Sequence, residues 1–142
     1  MIIRAFFAAA LCALAAPALA APPVAIDSAV FVERTSDDSR SLTPAQRLSR
    51  GDRVVYVTSW RRIGGGGFVL TTPLPRDVAY QGSADANEEV SADGGRSWGR
   101  LGTLRIGARM ALAEDVTHVR WHVVPALAAK GAGRIAWSAI VR

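Results

Sequence analysis

The sequence predicts an all-β protein, an antiparallel immunoglobulin-like β-sandwich of about seven to eight short strands. Two observations predict this fold class. Short stretches rich in valine, tyrosine, threonine and tryptophan recur along the chain, and apolar and polar residues alternate within them, as in strands that bury one face. Glycine, proline and aspartate separate these stretches at regular spacing, which is the pattern of turns between strands.

The N-terminal residues 1–20 have the pattern of a cleaved signal peptide. A positively charged start at residues 1–4 precedes an apolar run at residues 5–16, and small residues lead to a predicted cleavage site after Ala20. The apolar run is shorter than the about 20 residues that span a bilayer. We therefore expect an exported protein, periplasmic or extracellular, whose mature part is one domain over residues 21–142 without a transmembrane segment.

Composition limits the chemistry of the mature chain. The single cysteine, Cys12, lies inside the predicted signal peptide, so neither a disulfide nor a thiolate metal site is expected. The chain has a net charge of +5, with sixteen arginines and one lysine, Lys130. The arginines are scattered, and only Arg61 and Arg62 are adjacent, whereas nucleic-acid binders cluster their basic residues. We expect no nucleic acid, no cofactor and no metal.

The first predicted strands are residues 24–34 and 53–60, both of which are rich in β-branched or aromatic residues. Between them, residues 35–41 are polar and typical of a loop, and residues 42–50 are predicted to be one helical turn or a loop. Gly51-Asp52 is a turn signal directly before the second strand.

Four more strands are predicted in the middle of the chain. The glycines of residues 64–67 interrupt the pattern, and residues 68–72 then form a short strand that prolines end. Residues 78–81 form the next strand. Residues 88–91 and 98–106 flank a glycine-rich turn, so they are predicted to be the two arms of a hairpin.

The last two strands alternate most regularly. Residues 117–124 place Val119, Trp121 and Val123 on one face, and residues 134–141 place alternate apolar side chains on one face in the same way. Residues 126–133 are a small-residue connector between them. Only residues 108–115 are a candidate helix, and this segment is short.

The turn in the middle of the chain fits the pattern S-x-D-x-G-x-x-W, the Asp-box known from sialidase propellers. Here it begins at Ser91 and ends at Trp98. Asp93 is predicted to accept backbone N–H bonds within the turn, Gly94 and Gly95 to adopt positive φ, and Trp98 to pack over the hairpin. This interpretation makes the four residues Asp93, Gly94, Gly95 and Trp98 a structural turn.

The same stretch also spells G-x-S-x-G, the nucleophile elbow of hydrolases, with Ser97 as the nucleophile. An elbow needs a sharp turn from a strand into a helix, beside oxyanion donors. Residues 101–106 instead alternate like a strand. We therefore expect a non-catalytic protein, and a secreted serine hydrolase centred on Ser97 is the less favoured alternative.

Other polar groups lack the spacing of a site. His118 and His122 share a strand face but lie roughly 13 Å apart along it, which is too far for one zinc ion. Carboxylates that are adjacent in a strand point to opposite faces, and the polar loop near residue 85 lacks the spacing of a calcium-binding loop. Trp60 ends its predicted strand, where core or edge packing is the favoured interpretation. If it is exposed, Trp60 is the candidate ligand contact of a carbohydrate-binding module.

Two segments resemble a known family. Residues 51–56 (GDRVVY) resemble the G-D-x-V-x-Y opening of the bacterial conserved-repeat domain, also called domain of unknown function eleven, and residues 72–80 (TPLPRDVAY) resemble its later segment. The resemblance covers residues 49–141 and implies an exported or surface-displayed immunoglobulin-like module without established catalytic residues. The chain departs from the family at residues 61–64, which replace the usual N-x-G, and in having one copy of the domain.

Together these observations predict an exported, non-catalytic β-sandwich with a structural or protein-interaction role in the cell envelope. Its partner would be an unidentified protein or envelope component, bound by loops or by an exposed strand edge. The carbohydrate-binding module that uses an exposed Trp60 is the main alternative.

Overall fold

The computed structural model describes residues 24–36, 39–62, 65–85 and 87–142. The predicted signal peptide and its Cys12 lie outside these residues. Within them the chain forms antiparallel strands, one four-residue helix α1 (Pro125–Ala128) and one 3-10 turn (Ala113–Asp115), which confirms the all-β prediction. The strands are β1 (Val24–Ser36), β2 (Ser39–Pro44), β3 (Arg53–Arg62), β4 (Phe68–Pro73), β5 (Val78–Ser83), β6 (Glu88–Ser91), β7 (Arg105–Ile106), β8 (Arg109–Met110), β9 (His118–Val123) and β10 (Ala132–Val141).

The described strands form three sheets. The largest has five strands in the order β2-β1-β3-β10-β5, and a second has three strands in the order β4-β9-β6. A small third sheet pairs β7 with β8. The long strands β3 and β10 lie at the centre of the large sheet, so its two edges are β2 and β5.

The two larger sheets share one hydrophobic core. Alternate residues of each central strand point into it, because successive strand side chains point to opposite faces. The predicted stripe of Val119, Trp121 and Val123 is buried there, as are the alternate apolar side chains of β10. The indole N–H of Trp121 donates to the hydroxyl of Ser83 at 3.2 Å and so joins the two sheets at the β5 edge.

One prediction for the first half of the chain is wrong. The predicted loop at residues 35–41 falls largely on strands, because β1 continues to Ser36 and β2 begins at Ser39. In the segment 42–50, β2 takes only the first three residues, and residues 45–50 form a loop, which agrees with the loop alternative. All six side chains of β2 are exposed. The pairing of β2 with β1 therefore depends on main-chain hydrogen bonds, which leave no hydrophobic periodicity in the sequence.

The prediction that residues 98–106 form one arm of a hairpin is also wrong. Only Gly99 reaches β6, where it exchanges two backbone hydrogen bonds with Val90 at 2.8 and 3.1 Å. The chain then turns, since both the amide and the hydroxyl of Thr103 donate to the carbonyl of Arg100. The candidate helix at residues 108–115 becomes β8 and the 3-10 turn.

None of the helical segments in the described part of the chain has the length and apolar character needed to cross a membrane.

Candidate functional site

The segment that begins at the end of β6 forms a loop held by one carboxylate and one buried hydroxyl. The hydroxyl of Ser91, which is 0% exposed, donates to Asp93 Oδ1 at 2.7 Å and accepts the amide of Gly95 at 2.9 Å. Asp93 also accepts the amide of Arg96 at 3.0 Å, and both the amide and the hydroxyl of Ser97. The carboxylate is therefore the centre of the loop's hydrogen-bond network.

These hydrogen bonds favour the charged form of Asp93. The hydroxyl and the amide of Ser97, followed by the hydroxyl of Ser91, hold the pKa of Asp93 far below its ordinary value. Gly94 and Gly95 complete the turn with φ of 79° and 89°, which an L side chain adopts only with strain.

Trp98 fastens this loop to the outer face of the three-stranded sheet. Its indole N–H donates to the carbonyl of Gly95 at 2.9 Å. The guanidinium of Arg120 lies 4.4 Å over its ring, and the ring of His118 meets it edge-on at 6.4 Å. The half-buried Trp98 is thus joined to the loop by its indole N–H and has a cation over its ring, which is a stabilising arrangement.

Arg120 continues into a small polar cluster on the same face. Glu89 Oε2 accepts the Nε–H of Arg120 at 2.8 Å and lies 2.9 Å from His122 Nε2. His122 and then Arg120 hold the pKa of Glu89 below its ordinary value. The three side chains are partly exposed, so they form a surface polar cluster of modest energetic value.

The geometry around Ser97 differs from a nucleophile elbow. Its hydroxyl donates to Asp93, and the chain continues into the Gly99 bridge and a turn instead of a helix. The two imidazoles hydrogen-bond elsewhere, His118 Nδ1 with the hydroxyl of Thr117 and His122 with Glu89. An activated serine needs a base within hydrogen-bond reach, and here Ser97 contacts a carboxylate that serves the turn.

Trp60 is packed in the core, which agrees with the favoured interpretation of this residue and not with an exposed ligand contact. Trp60 is 1% exposed, because β3 continues past it to Arg62 and its side chain lies on the core face. It packs against Gly133 in the neighbouring strand and meets Phe68 edge-on at 5.2 Å. An aromatic ring in this position cannot stack on a sugar without opening the core.

Two other carboxylates, Asp115 and Asp85, make structural contacts. Asp115 accepts both guanidinium nitrogens of Arg109 at 2.7 and 2.8 Å, and these bonds lower the pKa of Asp115 to about 2. Asp85 caps its own loop by accepting the amide of Asn87 at 3.3 Å. Over the described ranges, no cluster of three or more His, Cys, Asp or Glu side chains is placed to hold a metal ion.

Sequence reasoning missed the free edge at β2. The amide of Ala45 donates to the carbonyl of Val30 at 2.9 Å. Because hydrogen-bonded pairs alternate in an antiparallel ladder, this bond fixes which residues of β2 face β1. Arg40, Leu42 and Pro44 are the residues whose main-chain groups point away from the sheet.

Sequence reasoning also missed a cleft of about 410 Å³ between the edge strands β5 and β6. Its lining residues come from both strands and from the loop after Gly99: Tyr80, Ser83, Glu88, Val90, Arg100 and Leu101. The cleft was missed because the inward direction of Glu88 depends on the register between β6 and β9, which the sequence alone does not contain. Glu88 lies opposite Trp121, and paired residues share a sheet face, so Glu88 faces the interior.

No family model, no curated protein and no solved structure matches this chain. The resemblance to the conserved-repeat domain stays a prediction.

Proposed function

We propose that the chain is an exported, non-catalytic immunoglobulin-like β-sandwich module with a structural or protein-interaction role in the cell envelope. The observation that carries the proposal is the free edge of β2. All six of its side chains are exposed, and within the described residues it pairs only with β1. A strand of this kind is a template for a strand from another protein.

The free edge offers a defined set of main-chain groups. The carbonyls of Arg40, Leu42 and Pro44 point outward, and so do the amides of Arg40 and Leu42, since proline has no N–H. An incoming strand would thus find alternating acceptors and donors over the length of β2. Pro44 at the end of the strand limits how far such pairing extends.

Side chains beside the edge add an apolar surface. Leu42 is 50% exposed. Pro44 lies opposite Phe31, and Phe31 lies opposite Val55 in β3, so an apolar row continues from the edge across the outer face of the sheet. A partner strand can therefore combine main-chain hydrogen bonds with burial of its alternate side chains.

The immunoglobulin-like part of the proposal is supported by the two antiparallel sheets and their common core. The non-catalytic part is supported by the contact between Ser97 and Asp93, which uses the serine hydroxyl within the turn. The two alternative functions depended on an exposed Trp60 and on an elbow at Ser97, and neither geometry is observed.

The test is a substitution that removes one outward amide and nothing else from the ladder. Leu42→Pro deletes the outward N–H while the bonds between β1 and β2 remain, and Leu42→Val is the matched control that keeps the amide. Each tagged variant is cross-linked to an envelope fraction, and the partners are quantified by mass spectrometry. We expect Leu42→Pro to lose capture of the partner by about tenfold and Leu42→Val to retain it.

Circular dichroism and thermal unfolding of both variants check that the sheet is intact. Equal capture by Leu42→Pro and the parent chain would show that β2 is not the docking edge, and this result would remove the main support for the proposal.

A further inference from the structure

We propose that the cleft between β5 and β6 binds a small zwitterion, with its ammonium group at Glu88 and Tyr80 and its acidic group at Arg100. This site lies at the edge of the five-stranded sheet opposite to β2. It is therefore independent of the edge that carries the proposed function, and either proposal can fail without the other.

The side chain of Glu88 points towards the core. Glu88 shares the inner face of β6 with Val90, which is buried in the core. One of its carboxylate oxygens, Oε2, is buried and has no hydrogen-bond partner among the described residues. An ionised carboxylate is costly to bury unless a positive or hydrogen-bonded group compensates it.

The phenol of Tyr80 lines the same cleft. Tyr80 is 2% exposed, and its hydroxyl makes no hydrogen bond of ordinary geometry among the described residues. Burial raises the pKa of Tyr80 above its ordinary value, and so do the charge of Glu88 and the hydrogen-bond interaction of the phenol with that carboxylate, so the phenol stays protonated. Two polar groups with unused hydrogen-bonding capacity thus line one cleft.

The hydrogen-bonding groups beside Glu88 and Tyr80 favour an ammonium as the ligand group. Ser83 is already used, because its hydroxyl accepts from Trp121 and from the amide of Asp85 and donates to the carbonyl of Ala136. Ser83 therefore offers no further donor, and the phenol O–H of Tyr80 can donate to Glu88. The remaining oxygen lone pairs of Glu88 and Tyr80 are left to accept from a ligand. A primary ammonium has three donors and no acceptor, and its charge compensates the carboxylate.

The cleft also contains a positive charge. Arg100 is exposed and lines the cleft, where its guanidinium would repel a simple amine and pair with a carboxylate. Val90 and Leu101 supply apolar wall in the same cleft. A short aliphatic chain with an ammonium at one end and a carboxylate at the other complements this set of groups.

The test uses three probes of similar size, 4-aminobutyrate, n-butylamine and butyrate. Each is titrated into the purified chain at pH 7, and binding is followed by the NMR signal of the Trp121 indole N–H, which contacts Ser83 in the cleft wall. We expect saturable binding in the order 4-aminobutyrate, n-butylamine, butyrate. A dissociation constant of about 1 mM for 4-aminobutyrate is in keeping with so small a ligand.

Variants assign the two ends. Glu88→Gln should weaken 4-aminobutyrate by at least about tenfold, and Tyr80→Phe should weaken it less. Arg100→Gln should weaken 4-aminobutyrate and leave n-butylamine unchanged or tighter. Glu89→Gln is the matched control, because Glu89 is the neighbouring glutamate on the outer face of the same strand, and it should bind 4-aminobutyrate like the parent chain.

Butyrate binding as tightly as 4-aminobutyrate would overturn the proposal, and so would equal affinity of Glu88→Gln and the parent chain. Absence of saturable binding would overturn it as well. Glu88 would then act only as an inward charge that protects the β6 edge from pairing.

Discussion

Two tryptophans of this protein pack against glycines, and the two contacts differ in how the sequence specifies them. Trp98 lies against Gly95 in the same loop and donates its indole N–H to that residue's carbonyl at 2.9 Å. Trp60 in β3 lies against Gly133 in β10. Its indole nitrogen has no hydrogen-bond partner among the described residues, so close packing alone holds this contact.

The two glycines are required for different physical reasons. Gly95 has a φ of 89°, a conformation that glycine adopts without strain, and a Cβ there would meet Trp98 at an ordinary 3.5 Å. A Cβ at Gly133 would lie 2.3 Å from the ring of Trp60. The loop therefore needs glycine for its backbone, whereas the core needs glycine for its space.

Truncating the two tryptophans should give the largest contrast. Trp60→Ala removes a fully buried ring, and we expect it to lower the free energy of unfolding by about 3–5 kcal/mol. Trp98→Ala removes a half-buried ring, one hydrogen bond and a cation–π contact, with an expected loss of about 1–2 kcal/mol. Urea unfolding of both variants measures the difference, and equal losses would show that the core contact is not the stronger one.

Filling the space at Gly133 should have the next largest effect. Gly133→Ala forces the added methyl group against Trp60, with an expected loss of about 1–3 kcal/mol. Combining it with Trp60→Leu should cost less than the sum of the two single substitutions, because the smaller side chain relieves the clash.

The control for this prediction is Gly65→Ala. A Cβ at Gly65 has nothing within 4 Å, so its effect on stability should stay within about 0.5 kcal/mol. Additive losses in the double variant would contradict a direct clash between Gly133 and Trp60.

Strands with a buried face could be predicted from the sequence, and the exposed edge strand could not. The alternation of Val119, Trp121 and Val123 predicted β9 because burial imposes a period of two residues. β2 has six exposed side chains and so carries no such period. Residues 98–106 do alternate, but Thr103 bonds back to Arg100 and ends the arm after Gly99.

The same division applies to the candidate sites. The network around Asp93 lies within a few consecutive residues, so a short pattern was enough to suggest a hydrogen-bonded turn there. The burial of Trp60 depends on where β3 ends and on a glycine in a distant strand. The inward direction of Glu88 depends on its register with Trp121, and register is a tertiary property that one sequence does not reveal.

The smallest expected effect concerns the loop, where charge can be removed with little change in shape. The ordinary pKa of an aspartate such as Asp93 is 3.8, and folding lowers it. The charged carboxylate therefore stabilises the fold fully above pH 3.8. This stabilisation is lost as the pH falls through the lower pKa of the folded protein. Asp93→Asn should therefore lower the melting temperature at pH 7, and the difference from the parent chain should shrink below pH 3.8.

The effect of salt on stability distinguishes the hydrogen-bonded carboxylate of Asp93 from the ion-paired carboxylate of Asp115. Neutral hydroxyls and amides hold Asp93, whereas an arginine holds Asp115. Adding salt should leave the effect of Asp93→Asn in place and reduce that of Asp115→Asn, since salt screens exposed charges and not hydrogen bonds between a carboxylate and its neutral donors. Equal sensitivity of the two variants to salt would mean that long-range charge, and not the local hydrogen bonds that also orient Trp98, stabilises the loop.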